Sequence, residues 1–517
     1  MLENSRQKDF LFPIMFLLTF CLLFKESDSN QFQLILINKY TDYCMKYVFY
    51  DFETSGLSAE FDSIIQAAAI LTDQDFNIID SFDMRGRMKK EYPVPHPKAL
   101  LVNGTGVDLL KNHEDSNFGL IRKMQQKFLS WGETTYIGYN SLGFDERFLR
   151  QSLYQSALPP YLTNTNGNKR GDALKIIHSA AAVAPNSFVR PLNDDNGKIT
   201  FKLDRFAPAN GIDHSNAHDA LSDVEATIGV CKLVKDRCPD VWEAAMKTTS
   251  KQDVYKFINQ DRIFCASRYF RGKEYTNGLA YLAVDPTYQN YVYCFDLKTD
   301  PDLIFDLDRA ELKKLFKGKK KCFQLIKANE QPILLDEKYL MQSEEFKEDD
   351  LKVLQERMEK VRNNKNFIEN FTNLLIDMSE EKSFVEDQSE RTVEQRIFDG
   401  FPDNKDNYLM QDFQAAEWEK RYDIALKITD SRIQEFAKRA IYNEKPDLLP
   451  KNELLNRDRD VASKLLTMDK VPWNTIPDAM KEIDDLRESE DEYNMDILEE
   501  IDEYIQELEE THSNILK

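Results

Sequence analysis

Apolar residues run unbroken through Tyr47-Val-Phe-Tyr50 and then alternate with carboxylates, Asp51-Phe-Glu53, before Thr54-Ser-Gly56 ends the run. That pattern predicts a buried strand, and residues two apart on a strand project to the same face, so Asp51 and Glu53 arrive at one spot. Further strand-like runs at 64–71 and 77–84 are separated by Gly and Asp-Gln-Asp turn signals. Helical periodicity follows at 121–129, 145–156 and 219–235. From Met45 to about Pro239 the pattern is therefore α/β. The texture changes from about Asp240 to Met358. Aromatic-rich runs at 263–269, 278–284, 291–297, 323–328 and 332–334 predict closely spaced short strands, as in a small barrel. The remainder reads as helical, rich in Glu, Lys and Leu, with no repeat at solenoid periods. Within it Ile483, Leu486, Leu498, Ile501, Ile505 and Leu508 stand at helical spacing and predict an amphipathic end packed on the body.

The first 44 residues are expected to lie outside this fold. Phe10–Phe24 is a mostly apolar run flanked by Arg6, Lys8 and Lys25, short for a membrane span and closer to a signal-peptide core. No small-x-small cleavage site follows it, and Met45 stands two residues before the first strand. An upstream extension is the expectation, with a secretion or anchoring signal as the alternative.

Apolar content of 42% with 11% aromatic residues over 517 positions is that of a globular chain long enough for two to four domains. A net charge of −22 argues against a nucleic-acid binder, which normally carries a basic footprint. Much of that charge is local, because residues 481–510 hold fifteen acidic side chains against Lys481 and Arg487. Seven cysteines without C-x-x-C spacing argue for reduced thiols in a cytoplasmic protein, and against a disulfide framework or a zinc site.

Paired carboxylates repel unless a cation sits between them, and oxygen-only clusters suit Mg²⁺ or Mn²⁺. Alone, an Asp-x-Glu pair is more often a solvated strand end. Two later segments change that weight: Ile137-Gly-Tyr-Asn-Ser-Leu-Gly-Phe-Asp145, and His214-Ser-Asn-Ala-His218-Asp-Ala-Leu-Ser-Asp223. Ser215 and Asn216 are helix-capping types. Five helical positions give an offset of roughly 140°, so His218 and Asp223 do not share a helix face. His218 is expected at the helix start, leaning over a site that Asp223 serves from within.

The order Asp-x-Glu, Asp, His-x4-Asp resembles the histidine subclass of the DEDD exonuclease superfamily. The strings Tyr-Asp-Phe-Glu-Thr, Gly-Tyr-Asn-x3-Phe-Asp and Ala-Asn-Gly-Ile-Asp-His-Ser-Asn-Ala-His-Asp-Ala resemble, within it, the bacterial exodeoxyribonuclease I family. The likeness is dense through the α/β part and sparser beyond it. It implies a ribonuclease H-like exonuclease domain over 45–239, an SH3-like β-barrel over 240–358 and a helical C-terminal domain with an acidic tail over 359–517. It also implies a cytoplasmic, monomeric, Mg²⁺-dependent 3′→5′ exodeoxyribonuclease of DNA repair and recombination, processively releasing 5′-mononucleotides from single-stranded DNA. In that reading Asp51 bridges two ions, for which Mn²⁺ can substitute. Glu53 and Asp223 complete one site and Asp145 supports the other. His218, whose ordinary pKa lies near working pH, takes the proton from the attacking water.

The same resemblance sets Glu53 and Thr54, with Ser55 and Leu57, against the terminal nucleotide. Further strand contacts fall at Lys202, Arg150, Tyr161, Lys251 and Asn290. Lys202 stands where relatives carry arginine, so a bidentate phosphate grip is replaced by a point charge. The lysine run 313–321 either meets phosphates or an acidic partner, or is a solvated loop. Relatives bind the acidic tail of single-stranded-DNA-binding protein, but Ala184 replaces one expected arginine, leaving that partnership open. No membrane partner is expected. An exoribonuclease trimming RNA 3′ ends is the enzymatic alternative, and a non-catalytic single-strand-binding module the alternative from another class.

Overall fold

The computed structural model describes residues 45–193, 197–258, 262–270, 273–318, 322–340, 346, 351–383, 391–489 and 493–517. The apolar run 10–24 and the lysines 319–321 lie outside the described residues. Among the described residues no helix is long and apolar enough to cross a membrane. Cys231, Cys238, Cys265, Cys294 and Cys322 are free and buried.

The α/β part is built on a five-stranded sheet. Its strands are β1 (Tyr47–Thr54), β2 (Ile64–Thr72), β3 (Ile78–Arg85), β4 (Thr135–Gly138) and β5 (Lys169–Asp172), in the order β3-β2-β1-β4-β5. β1 pairs antiparallel with β2 and parallel with β4, so it lies at the centre of the sheet. Helices α1 (Asn117–Ser130) and α2 (Asp145–Gln155) cover one face, and α3 (Ala173–Val183) and α4 (Ala220–Arg237) the other. Strand alternation divides β1 between them. Val48 and Tyr50 join the core with α1 and α2, while Tyr47 and Phe49 join the core with α3 and α4. By the same parity Asp51 and Glu53 project towards the α4 side, opposite Ala68 and Gln66 of β2. The sequence pattern carried no clear signal for β4, β5 or α3: the two strands span only four residues each.

The second unit is an SH3-like antiparallel sheet of β6 (Phe264–Phe270), β7 (Lys273–Val284), β8 (Tyr291–Asp296), β9 (Phe323–Lys327) and β10 (Leu334–Asp336), in the order β10-β6-β7-β8-β9. The last strand starts two residues later than the sequence pattern predicts. Gln331 adopts the left-handed region at φ 44°, which turns the chain before pairing resumes at Leu334. Helix Lys251–Ile258 packs on one face through Val254 and Ile258. Phe367 and Phe371 of helix Lys365–Ser383 pack against Phe323 on the other. The core of this unit thus takes in helix Lys365–Ser383, which the sequence pattern gave to the helical unit that follows it. It is also continuous with the α3–α4 core of the first unit.

Helices from Asn404 onwards form the third unit, among them α5 (Ser431–Glu444), α6 (Ile476–Arg487) and α7 (Met495–Leu516). The acidic end is built of two helices: α6 stops at Arg487 and Asn494 caps α7. Ile483, Leu486, Leu498, Ile501 and Ile505 are buried, and α7 packs on the short helices Pro97–Asn103 and Val107–Asn112. The third unit is thereby fastened to the first. Between them lies a buried polar contact in which Glu394 accepts from Tyr92 Oη (2.8 Å) and from Arg439 Nη1 (2.5 Å).

Candidate active site

Three side chains from two elements converge at the end of β1. Carboxylate oxygens of Asp51, Glu53 and Asp223 lie within 4.8 Å of one another, all three residues half-buried. The first two come from β1 through strand parity, and Asp223 comes from the first turn of α4. Helix capping falls to Asp219 rather than to the earlier Ser215 or Asn216. The Asp219 carboxylate accepts from Ser222 N at 3.3 Å and is itself held by Arg85 (2.9 Å) and Gln66 (3.2 Å). This fixes the rotation of α4 and hence the direction in which Asp223 points.

Asp145 joins from the far side. It is buried at the start of α2, and its Oδ1 accepts the backbone N–H of Phe52, between the two β1 carboxylates, at 3.1 Å. The turn before it is compact: a Cβ on Gly138 would come within 2.5 Å of the Ser141 side chain and 2.8 Å of the Tyr50 carbonyl, so only glycine fits. Asp172 braces the same turn by accepting from the N–H groups of Asn140 and Leu142. Its own N–H donates to Gln331 of the second unit at 2.6 Å. The second unit therefore supports the loop that delivers Asp145.

The electrostatics of this cluster fit a cation. Burial, followed by repulsion from Asp145, Asp223 and Glu53, holds the Asp51 carboxyl well above the usual carboxylate range. Burial and then Asp223 push Glu53 up to about 8, with Asn103 and Arg85 working against them. Burial also raises Asp145. Acidic groups packed this closely resist shedding their protons together until positive charge arrives. An all-oxygen donor set favours Mg²⁺ or Mn²⁺ over softer ions.

His218 lies where the spacing puts it, immediately before the cap of α4. It is exposed, in the left-handed region at φ 68°, with its backbone N–H 3.4 Å from Asp223 Oδ1. Of the expected strand contacts, Arg150 and Tyr161 come together, the guanidinium carbon 5.0 Å from the ring centroid. Arg150 also donates to the buried Glu146. Thr54 is buried and donates to the Gly56 carbonyl, and Leu57 stands 81% exposed beside it. Lys202 is exposed at the start of helix Leu203–Ala209. Lys251 and Asn290 belong to the second unit, Lys251 lying over the Tyr255 ring. Lys313 of the lysine run is paired with Glu381.

One residue of the cluster escaped the sequence reading. The His214 side chain is 1% exposed, and its Nε2 lies 2.6 Å from Asp223 Oδ1. Its signal was present in the string His214-Ser-Asn-Ala-His218, but nothing local distinguishes a histidine facing inward from one facing out.

Three stretches of the chain match known families in order: the exonuclease family over residues 48–231, the exonuclease I SH3-like domain over 249–377 and the exonuclease I C-terminal domain over 391–508. Exodeoxyribonuclease I of Haemophilus influenzae is 28% identical over 404 residues, which are 75% of this chain and 83% of that protein. Among solved structures, exonuclease I from Methylocaldum szegediense superposes over 90% of this chain and all of its own, with a TM-score of 0.76 and 22% identity. Escherichia coli exonuclease I in complex with a dA16 oligonucleotide does so over the same shares, with a TM-score of 0.74 and 24% identity. At those identities the structural likeness is one of fold.

Proposed function

This chain belongs to the bacterial exodeoxyribonuclease I family of 3′→5′ single-stranded-DNA exonucleases, and on that premise we propose that it releases 5′-mononucleotides from 3′ ends by two-metal phosphodiester hydrolysis. The observation that carries the reading is the convergence of the Asp51, Glu53 and Asp223 carboxylates within 4.8 Å. Asp145 reaches the same strand end from the opposite side. Asp51, central in the set, would be shared between two cations. Glu53 and Asp223 would complete one position and Asp145 the other. Mg²⁺ suits these ligands, and Mn²⁺ can substitute. When bound, such ions lower the pKa of a bound water and stabilise the attacking and leaving oxygens of an in-line displacement.

The chain's own residues do the rest. His218, exposed at the rim, accepts the proton of the attacking water at a ring nitrogen. Thr54 and Leu57 give the terminal nucleotide a wall that is polar at one end and apolar at the other. Arg150 and Tyr161 supply a cation and a stacking face for the strand, and Lys202, Lys251 and Asn290 extend the track with point charge and amide contacts. We place the enzyme in the cytoplasm, as a monomer acting in repair and recombination.

The test is digestion of end-labelled DNA and RNA strands side by side, with Mg²⁺ and with chelator. The expected result is stepwise loss of nucleotides from the DNA 3′ end in Mg²⁺ only. Preferential trimming of RNA would move the substrate to ribose, and full cleavage in chelator would overturn the metal assignment.

A further inference from the structure

Two histidines approach Asp223 from opposite environments. His218 is exposed and reaches Asp223 Oδ1 with its backbone N–H at 3.4 Å, whereas the ring of His214 is 1% exposed and places Nε2 2.6 Å from Asp223 Oδ1. A carboxylate oxygen accepts, so Nε2 is the nitrogen that carries the hydrogen. Among the described residues His214 Nδ1 is buried without a hydrogen-bond partner, where a bare lone pair is tolerated better than an unmet N–H. Both contacts to Asp223 fall on Oδ1. Held there by two donors, the carboxylate has its rotation restricted while one of its oxygens lies within 4.8 Å of oxygens of Asp51 and Glu53.

From this geometry we infer that His214 is a positioning residue for the reaction. It donates from Nε2 to Asp223 Oδ1 and locks that carboxylate in the orientation that a divalent cation requires. The inference rests on the proposed two-metal reading. It assigns the two histidines of the His-Ser-Asn-Ala-His string separate tasks, one moving a proton and the other orienting a ligand. The physical reason is entropic as well as electrostatic. An aspartate at the first turn of a helix has several open rotamers, and a cation gains most from a carboxylate that has already given up that freedom. Partners of this kind change metal affinity by roughly 10–100-fold when removed.

The test uses the full chain and a pair of amide substitutions that differ in where they hold the N–H. His214→Gln carries its amide nitrogen near the place of Nε2, and His214→Asn near that of Nδ1. Mn²⁺ affinity is measured by calorimetry without DNA. The Mg²⁺ concentration for half-maximal cleavage and kcat at saturating Mg²⁺ are measured alongside. His214→Asn should bind Mn²⁺ about 10–100-fold more weakly and need correspondingly more Mg²⁺, with kcat recovering at saturation. His214→Gln should restore most of the affinity. Unchanged affinity in a folded His214→Asn protein, or equal losses in both variants, would overturn the assignment.

If neither variant folds, the wild-type chain decides. A hydrogen-bonded Nε2–H resonance of His214 that moves on adding Mg²⁺ supports the inference, and one indifferent to Mg²⁺ overturns it. Failure of the two-metal reading itself would look different: Asp51→Asn would then keep both Mn²⁺ binding and cleavage.

Discussion

Because burial and Asp223 hold Glu53 at about 8, cation binding to the cluster must displace a proton at neutral pH. The sign follows from the chemistry. The carboxyl is a ligand only when ionised, so affinity rises with pH until about 8 and then levels off. A group titrating there is ionised in roughly one molecule in eleven at pH 7, half at pH 8 and about nine in ten at pH 9. Apparent affinity should therefore rise roughly five-fold between pH 7 and 8, and by less than about two-fold between pH 8 and 9. Asp51, raised by the same burial and by its acidic neighbours, steepens the rise and does not reverse it.

The assay is calorimetric titration of Mg²⁺ or Mn²⁺ into the DNA-free chain across that range. Buffers of differing ionisation enthalpy count the protons released. Glu53→Gln, which has no proton to lose, should bind more weakly and with a flatter pH profile. The same raised value makes the metal-free fold lose stability as pH climbs from about 4.5 to about 8, and added cation should remove that loss. Affinity independent of pH, with no protons released, would refute the reasoning.

Asp51→Asn should abolish turnover while the chain stays folded and still binds single strands, since a neutral amide cannot be shared between two cations; near-normal cleavage by the purified variant would sink the two-metal assignment. His218→Ala should slow cleavage by roughly 10²–10⁴-fold with Mn²⁺ affinity intact, because the part proposed for it is proton transfer; a parallel fall in metal affinity would make it a ligand instead. Glu394→Ala removes the buried carboxylate that Tyr92 and Arg439 share, leaving the Tyr92 hydroxyl unmet and Arg439 with Glu435 as its remaining ion-pair partner, a loss of about 1–3 kcal/mol. Urea unfolding of the full chain checks this, and a midpoint unchanged from wild type would show that the contact does not help to fasten the third unit to the first.

The pairing of Asp51 with Glu53 needed only strand parity, a property of the backbone that five or six residues express by themselves. His218 at a helix start, with Asp223 one turn further in, followed from spacing in the same way. The three-unit order was legible because strand-like and helix-like periodicities change abruptly along the chain. What sequence left open lies between elements. β4 and β5 are too short to display a period, and they are strands because they extend the sheet beside β1. The acidic end reads as an amphipathic stretch, and its division into two helices is seen only in the structure. The approach of Asp145 to Phe52, the bracing of its loop by Gln331 and the lift of Glu53 to about 8 all depend on groups far apart in the chain. His214 is the sharpest case. Its residue type and place in the string were visible, but whether its ring faces water or Asp223 is set by how α4 is seated against β1, β2 and Arg85, and only packing fixes that.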